Sequence, residues 1–231
     1  MHTPTGTIAL IGAGAMGSQM AYRMFHSGAG TILTHLEGRS EGTWKRATEC
    51  GMKHAAYVDI SAKEALAIAQ LVVDAVKDSK LHPQKKLIFV DFNAINPQTA
   101  KQMAQLFDGV CVTFVDGSIV GGPPSDMFNP GLYICADSKD EANLDDLDAV
   151  LKRYGLRPFP LKGEGSGIGD ASAVKMANSG IVKGAIALFT AMILASHASS
   201  PSTSQGLLHS LLPLTACLYR PNDPSRSSDD P

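Results

Sequence analysis

The segment Thr7–Gly17, TIALIGAGAMG, constrains the fold of this chain more than any other. An apolar run (Ile8, Ala9, Leu10, Ile11) enters Gly12-Ala13-Gly14-Ala15-Met16-Gly17, and a helix-like segment, Ser18 to Ser27, follows. Each glycine has its own physical task. Gly12 permits the tight strand-to-helix turn, and Gly14 removes the side chain that would keep a pyrophosphate off the backbone. Gly17 lets helix and strand pack closely. The helix N-terminus, flanked by Ala13, Ala15 and Met16, offers free N–H groups and the positive end of a dipole to phosphates. Strand, glycine turn and helix in this order predict a dinucleotide site opening a βαβ unit. The plainer reading of the same residues is a glycine-rich turn that binds nothing.

A chain of 231 residues, 44% hydrophobic, can bury a sizeable core. Its net charge of −2 gives no reason to expect nucleic acid or an anionic membrane as partner. Cys50, Cys111, Cys135 and Cys217 form no CxxC pair and have no His-rich companion. That pattern argues against a disulfide framework or a zinc site and fits a reducing compartment. The opening MHTPTGTIALIG lacks the regions of a secretory signal, and the longest apolar stretch, Ala185–Ala195, is interrupted by Thr190 and too short to span a bilayer. A soluble, cytoplasmic protein is expected.

Strands alternating with helices follow the glycine turn. Thr31–Thr34 reads as a strand, Glu41–Cys50 as a helix, and Ala55–Val58 as a short strand. Ser61-Ala62-Lys63-Glu64 has the pattern of a capping box. Leu71–Val76 reads as a buried strand, Lys86–Asp91 as another, and Pro97–Phe107 as a helix with an early proline. Strands at Cys111–Val115 and Gly131–Ala136, an acidic helix Lys139–Arg153, and a strand near Arg157–Leu161 complete the series. The fold class expected is α/β, a doubly wound, mostly parallel Rossmann-type sheet over residues 1–162. From Gly163 the texture changes: a glycine-rich lead-in, Asp170 as N-cap, and one long helix from Ala171 to about Ser196. A Ser/Pro break over Ser199–Ser204, an apolar helix Gln205–Leu218 and a disordered tail from about residue 220 finish the chain. Residues 163–231 thus read as an interdomain helix and an incomplete all-α domain.

Several constellations carry chemistry beyond the glycine turn. Past the second strand the chain reads His35-Leu36-Glu37-Gly38-Arg39-Ser40, with no carboxylate at the strand tip where an NAD site would hold the ribose. The guanidinium of Arg39 and hydroxyl of Ser40 suit a 2′-phosphate, which favours NADP(H) over NAD(H). Glu37 in a shifted register would instead meet the ribose, and a solvated surface charge is the plain alternative for Arg39. Asn93, within DFNAINP after a strand, stands where a nicotinamide end is reached, or else stabilises a turn. Asp116-Gly117-Ser118-Ile119-Val120-Gly121-Gly122-Pro123-Pro124 exposes backbone N–H groups at Gly121 and Gly122 that suit a carboxylate or phosphate. Lys175, with Asn178 and Ser179 one turn on, shares a helical face with them. An amine shielded beside a cofactor exchanges a proton with a substrate oxygen, whereas a helix lysine on its own is usually a solvated charge.

GAGAMG, DGSIVGGPP and VKMANSGIVKG in this order resemble the β-hydroxyacid dehydrogenases, which include 6-phosphogluconate and 3-hydroxyisobutyrate dehydrogenases. DFNAINP and GDASAVKM are similar to a subgroup called 6-phosphogluconate dehydrogenase C-terminal-like. The resemblance covers about residues 7–200. It implies hydride transfer between a hydroxy acid and NAD(P)+, or the reverse reduction, with Lys175 as the catalytic general acid/base; with the Arg39-Ser40 reading the expected cofactor is NADP(H). Ser118, Gly121, Gly122, Asn178 and Ser179 are then the substrate contacts. Val120 stands where the family carries a substrate-binding serine, and Ser179 where it carries an asparagine, which weighs against 6-phosphogluconate itself. An imine reductase of the same architecture, or an NADPH-binding protein without turnover, are the other readings. Family members continue through a multi-helix domain. The apolar positions Val174, Ile181, Leu188 and Met192 are therefore expected either to gain cover from a second copy, as a homodimer, or to mark a shortened product with compromised activity.

Overall fold

The computed structural model describes residues 7–55, 65–78 and 87–218. Contacts divide the chain into two compact units, residues 1–178 and 179–231. The first unit opens with β1 (Thr7–Ala9), α1 (Ala15–His26), β2 (Thr31–Thr34), α2 (Glu41–Glu49) and β3 (Met52–His54). These strands form a parallel sheet, with Thr7 opposite Thr31 and Ile32 opposite Met52. After α3 (Ala65–Asp78) come β4 (Leu87–Asp91), α4 (Pro97–Leu106), β5 (Val112–Val120), β6 (Gly131–Cys135), α5 (Glu141–Arg153) and β7 (Arg157–Pro160). Their sheet has the order β4-β5-β6-β7, parallel except where β5 meets β6. α6 (Asp170–Ser199) and α7 (Pro201–Leu218) end the described chain.

Helices cover both faces of the sheets, which is the doubly wound arrangement the alternation of elements calls for. On one face Met20, Ala21 and Met24 of α1, Ala47 of α2 and Leu144 and Leu151 of α5 pack with Ile32, Val115, Leu132 and Ile134. On the other, Ala69 and Val73 of α3 and Ala100 and Met103 of α4 pack with Val112, Phe114 and Ile168. β4 shows the period of two that divides them: Ile88 and Val90 face the first cluster and Phe89 the second. There Phe89, Phe107 and Phe114 stack at centroid separations of 5.1 to 6.1 Å. Burying a phenylalanine stabilises the fold by about 1.5–3 kcal/mol, so this trio is a main anchor of that face.

The structure departs from the sequence expectations in identifiable places. Leu71–Val76 is helical, inside α3, and not a strand. A short apolar run does not distinguish the two, and here Ala69 and Val73 fall one turn apart on a buried stripe against α4. Gln70 donates across the same spacing to Asp74 at 2.7 Å. The third strand is Met52–His54, and the expected Ala55–Val58 runs, from residue 56, outside the described residues, as do Ser61–Glu64 and the tail from residue 220. β5 does not stop at Val115 but continues to Val120, because Asp116–Val120 pairs with Gly131–Cys135 of β6. The break after α6 shrinks to Ser200, since Pro201 already lies in the first turn of α7.

The second unit holds the rest of α6 and α7. Ile181, Ile186, Leu188, Met192, Leu194, Leu208 and Leu212 are all exposed. Among the described residues α6 is the helix long and apolar enough, by length and composition, to cross a membrane, because the helix extends well beyond the uninterrupted apolar stretch at its centre.

The C-terminal end of β4 and the middle of β5 place two carboxyl groups side by side, Asp91 in register with Asp116. Asp91 is 3% exposed; its Oδ1 accepts from the Asn93 side-chain amide and backbone N–H, while its Oδ2 has no partner among the described residues. Burial pushes the Asp91 carboxyl up from the ordinary value of 3.8; the Asn93 hydrogen bonds oppose this, and the neighbouring Asp116 adds to it. The folded chain therefore keeps this proton to higher pH than the unfolded chain. Stability falls as pH rises from the ordinary aspartate value through the raised one, and the deficit is constant above it. Asp91→Asn is expected to raise Tm at pH 7, with the gain shrinking to nothing toward pH 3. Thermal melts across that range check it, and an equal effect of the substitution at both ends would refute it.

Candidate active site

The turn between β1 and α1 has the geometry of a phosphate cradle. Gly12 sits at φ +105°, in a region that side chains disfavour. A Cβ on Gly17 would collide with the Gly12 carbonyl oxygen, so the close return of helix onto strand requires glycine there. Gly14 is the N-cap of α1, and space where its Cβ would stand is open to 4 Å. No side chain caps this helix and no acidic residue lies in its first turn. The first intrahelical bond runs from Ser18 N to Gly14 O at 2.9 Å, leaving the N–H groups of Ala15, Met16 and Gly17 without helical acceptors. Ser18 is buried, and its hydroxyl donates to the Ala13 carbonyl at 3.1 Å, bracing the turn from behind. Open backbone donors, a dipole and no competing carboxylate fit the pyrophosphate of a dinucleotide.

The tip of β2 is less committed. Gly38 at φ +69° turns the chain, and Arg39 and Ser40 are both exposed. Ser40 is the N-cap of α2 and shares a 3.1 Å hydrogen bond with the Thr43 hydroxyl. Among the described residues the Arg39 side chain has no hydrogen bond or ion pair. Glu37 lies 3.7 Å from Nε2 of His35, turned toward that ring.

Around the ends of β4 and β5 the structure brings several expected residues together. Ala13 and Met16 of the glycine turn belong to the same apolar cluster as Phe92, just past β4, and Ile119 of β5. Asn93 is exposed, with its amide turned onto Asp91. Lys175 is half-buried, and its Nζ donates to the Ile119 carbonyl at 2.6 Å. The ammonium is thereby aimed at the C-terminal end of β5, the end at which open α/β sheets bind their ligands. Past that end Gly121 takes φ +123°, where a Cβ would meet the Phe128 ring at 2.7 Å, and Gly122 stands in open space. Asn178 is exposed and Ser179 half-exposed, one turn beyond Lys175 on α6.

Ser118 corrects a sequence expectation. It is 1% exposed, and its hydroxyl donates to the Ala171 carbonyl at 2.7 Å. A hydroxyl so enclosed and spoken for ties α6 to β5 and is not open to a substrate. Asp170 is corrected in the same way. Its carboxylate accepts from Gly167 N at 2.9 Å, back in the preceding loop, and does not cap the helix.

The capping group that sequence reasoning missed is Asp116, 0% exposed on β5. It accepts from Ser172 Oγ at 2.7 Å, from Ser172 N and Gly169 N at 3.1 Å, and from Cys135 Sγ at 3.4 Å. Cys135 in turn accepts from Ala171 N at 3.3 Å. Burial, then the Asp116 charge, push the Cys135 thiol up to about 12, so it stays a protonated donor. Gly169 and Ser172 lie 53 and 56 residues from Asp116 in the chain and Cys135 lies 19 away, and no local pattern announces them.

Comparison with known proteins follows from this geometry. Residues 7–157 match the family described as the NAD binding domain of 6-phosphogluconate dehydrogenase. No curated protein matches the chain. A solved conserved protein of unknown function, described as structurally similar to 3-hydroxyacid dehydrogenases, is 26% identical, with a TM-score of 0.66 over 89% of this chain and 75% of its own. The imine reductase of Myxococcus stipitatus, in complex with NADP+, is 18% identical, with a TM-score of 0.61 over 92% of this chain and 74% of its own. The 3-hydroxyisobutyrate dehydrogenase of Mycobacterium tuberculosis is 17% identical, with a TM-score of 0.59 over 84% of this chain and 66% of its own. The latter two share the fold. With the family match spanning well over half its length, the chain belongs to the family of the NAD binding domain of 6-phosphogluconate dehydrogenase, an oxidoreductase family that uses NAD(P).

Proposed function

We propose that this chain is an NADP(H)-dependent oxidoreductase acting on a small hydroxy acid or its keto acid, with Lys175 as general acid/base. The observation that carries the reading is the half-buried ammonium of Lys175, held at the Ile119 carbonyl at the ligand-binding end of β5. The nicotinamide, when bound, supplies or accepts the hydride. The backbone N–H groups of Ala15, Met16 and Gly17, with Gly12, Ala13 and Gly14 forming the turn, would hold the pyrophosphate. Arg39 and Ser40 would take the 2′-phosphate, since Arg39 is exposed and uncommitted while Glu37 is turned to His35. Asn93, with its amide N–H on Asp91, presents its amide oxygen for a carboxamide N–H.

In oxidation Lys175, unprotonated, removes the hydroxyl proton; in reduction, protonated, it delivers one to the carbonyl oxygen. Ile119 O orients the amine between these roles. Gly121 and Gly122 expose backbone donors for a substrate carboxylate, and Asn178 and Ser179 lie within a helical turn of the amine. The Myxococcus imine reductase, solved with NADP+ and as a variant with NAD+, shares the fold, which supports imine reduction as a second reading and a nicotinamide cofactor in either case.

The exposed apolar residues of α6 and α7, among them Ile181, Leu188 and Met192, support a homodimer, because exposed apolar surface on a helix marks an interaction site. Sedimentation of the full chain should give a dimer; a monomer, or a chain recovered only with membranes, would refute this. Arg39→Ala should weaken NADPH binding about tenfold or more, the loss of a charge-assisted contact, and change NADH binding less than about twofold. Equal weakening of both in fluorescence titrations would overturn the 2′-phosphate assignment. Lys175→Met should bind NADPH as wild type does and lose about 10²- to 10⁴-fold in kcat on a hydroxy-acid and imine panel. Undiminished turnover would end the general acid/base assignment.

A further inference from the structure

We propose that Asp116 is the positioning residue of this site: a buried carboxylate on β5 that sets the rotation of α6 and so places the Lys175 ammonium. The inference rests on the Lys175 reading for its meaning but not for its test.

A helix usually has its first N–H groups satisfied by a side chain at its own N-cap. Here the residue ahead of α6 is Gly169, at φ +106°, which has no side chain to offer. The carboxylate of Asp170 is turned back to Gly167. The donors are met from the sheet instead. Ser172 N and Gly169 N go to Asp116 Oδ2, the Ser172 hydroxyl to Asp116 Oδ1, and Ala171 N to the Cys135 sulfur. A cap from within the helix would leave the helix free to turn about its axis. A cap from β5 ties that rotation to the strand.

The bonded residues and Lys175 share one face of α6. Lys175 follows Ala171 by four positions and Ser172 by three, so each stands over the next turn on the same side. On β5 the matching groups lie within four positions: Asp116 receives Ser172, Ser118 donates to the Ala171 carbonyl, and Ile119 receives Lys175. The first two contacts are enclosed, with Asp116, Ser172 and Ala171 at 0% exposure, and the third ends half-buried at the strand terminus. Asp116 is too deeply enclosed to touch substrate or cofactor. Its action on the chemistry runs through the helix. Three bonds to one carboxylate from the first turn, with the Ser118 contact beside them, hold one rotation of α6 on β5.

The test reads Lys175 directly. Trace acetic anhydride acylates amines at a rate set by their accessibility and freedom, and mass spectrometry gives the rate for Lys175 relative to the exposed Lys45. In the wild type Lys175 should react more slowly than Lys45. Asp116→Asn puts an amide donor against the N–H groups of Gly169 and Ser172, and should raise the relative rate at Lys175 about tenfold. kcat should fall by a similar factor while the Kd for NADPH and the KM of the substrate stay within about twofold. Ser172→Ala, which removes only the hydroxyl bond, should show the same changes to a lesser degree, and decides the matter should Asp116→Asn not fold. A lowered Tm with unchanged labelling at Lys175 would overturn the proposal and leave Asp116 as a cap alone. Wild-type turnover in Lys175→Met would instead overturn the general acid/base reading, whatever the labelling shows.

Discussion

A carboxylate with no access to water holds the first unit together where its last helix begins. Asp116 gathers a hydroxyl, two backbone N–H groups and a thiol at the middle of β5. A buried charge without such donors would cost several kcal/mol, so all of these groups must be in place together. That requirement couples β5, β6 and the start of α6 into one arrangement. Register along β5 then decides which helix residue meets which strand residue.

Two helix N-termini of the first unit, those of α1 and α6, illustrate opposite uses of one physical property. Every helix presents unsatisfied N–H groups at its start. At α6 the sheet consumes them with Asp116 and Cys135, and the terminus becomes a joint. At α1 nothing consumes them: Gly14 brings no side chain, the first turn carries no acid, and the space over Gly14 is open. The first arrangement gives rigidity and the second a cradle for an anion. Ala13 and Met16 of the cradle lie in the core that also contains Ile119 and Phe92, so the cradle and the lysine end of β5 are built on one packed body.

The glycine turn was legible because its constraints are local. Gly12 needs its positive φ and Gly17 its missing Cβ within a few residues of each other, so spacing alone announces them. The long helix, the alternation of strands and helices, and Lys175 at a helical start were legible for the same reason. Leu71–Val76 was misread, since Val72, Val73 and Val76 favour a strand by type and only packing of Ala69 and Val73 against α4 makes them helical. Ser118 reads as a free polar group in a glycine-rich setting and Asp170 as an N-cap. The Ala171 partner of Ser118 becomes visible only once α6 is docked on β5, while Asp170 turns back to Gly167, three residues away.

The amino-acid order by itself determined the α/β class, the turn that opens it and the helix that leaves it. These depend on backbone sterics and on periodicity, which act over one or two turns of chain. The tertiary structure alone decided which carboxylate caps α6, which hydroxyl is free, and where the Lys175 ammonium rests. Those outcomes depend on groups more than fifty positions apart, such as Asp116 and Ser172, and only burial of the sheet brings such groups within hydrogen-bonding range.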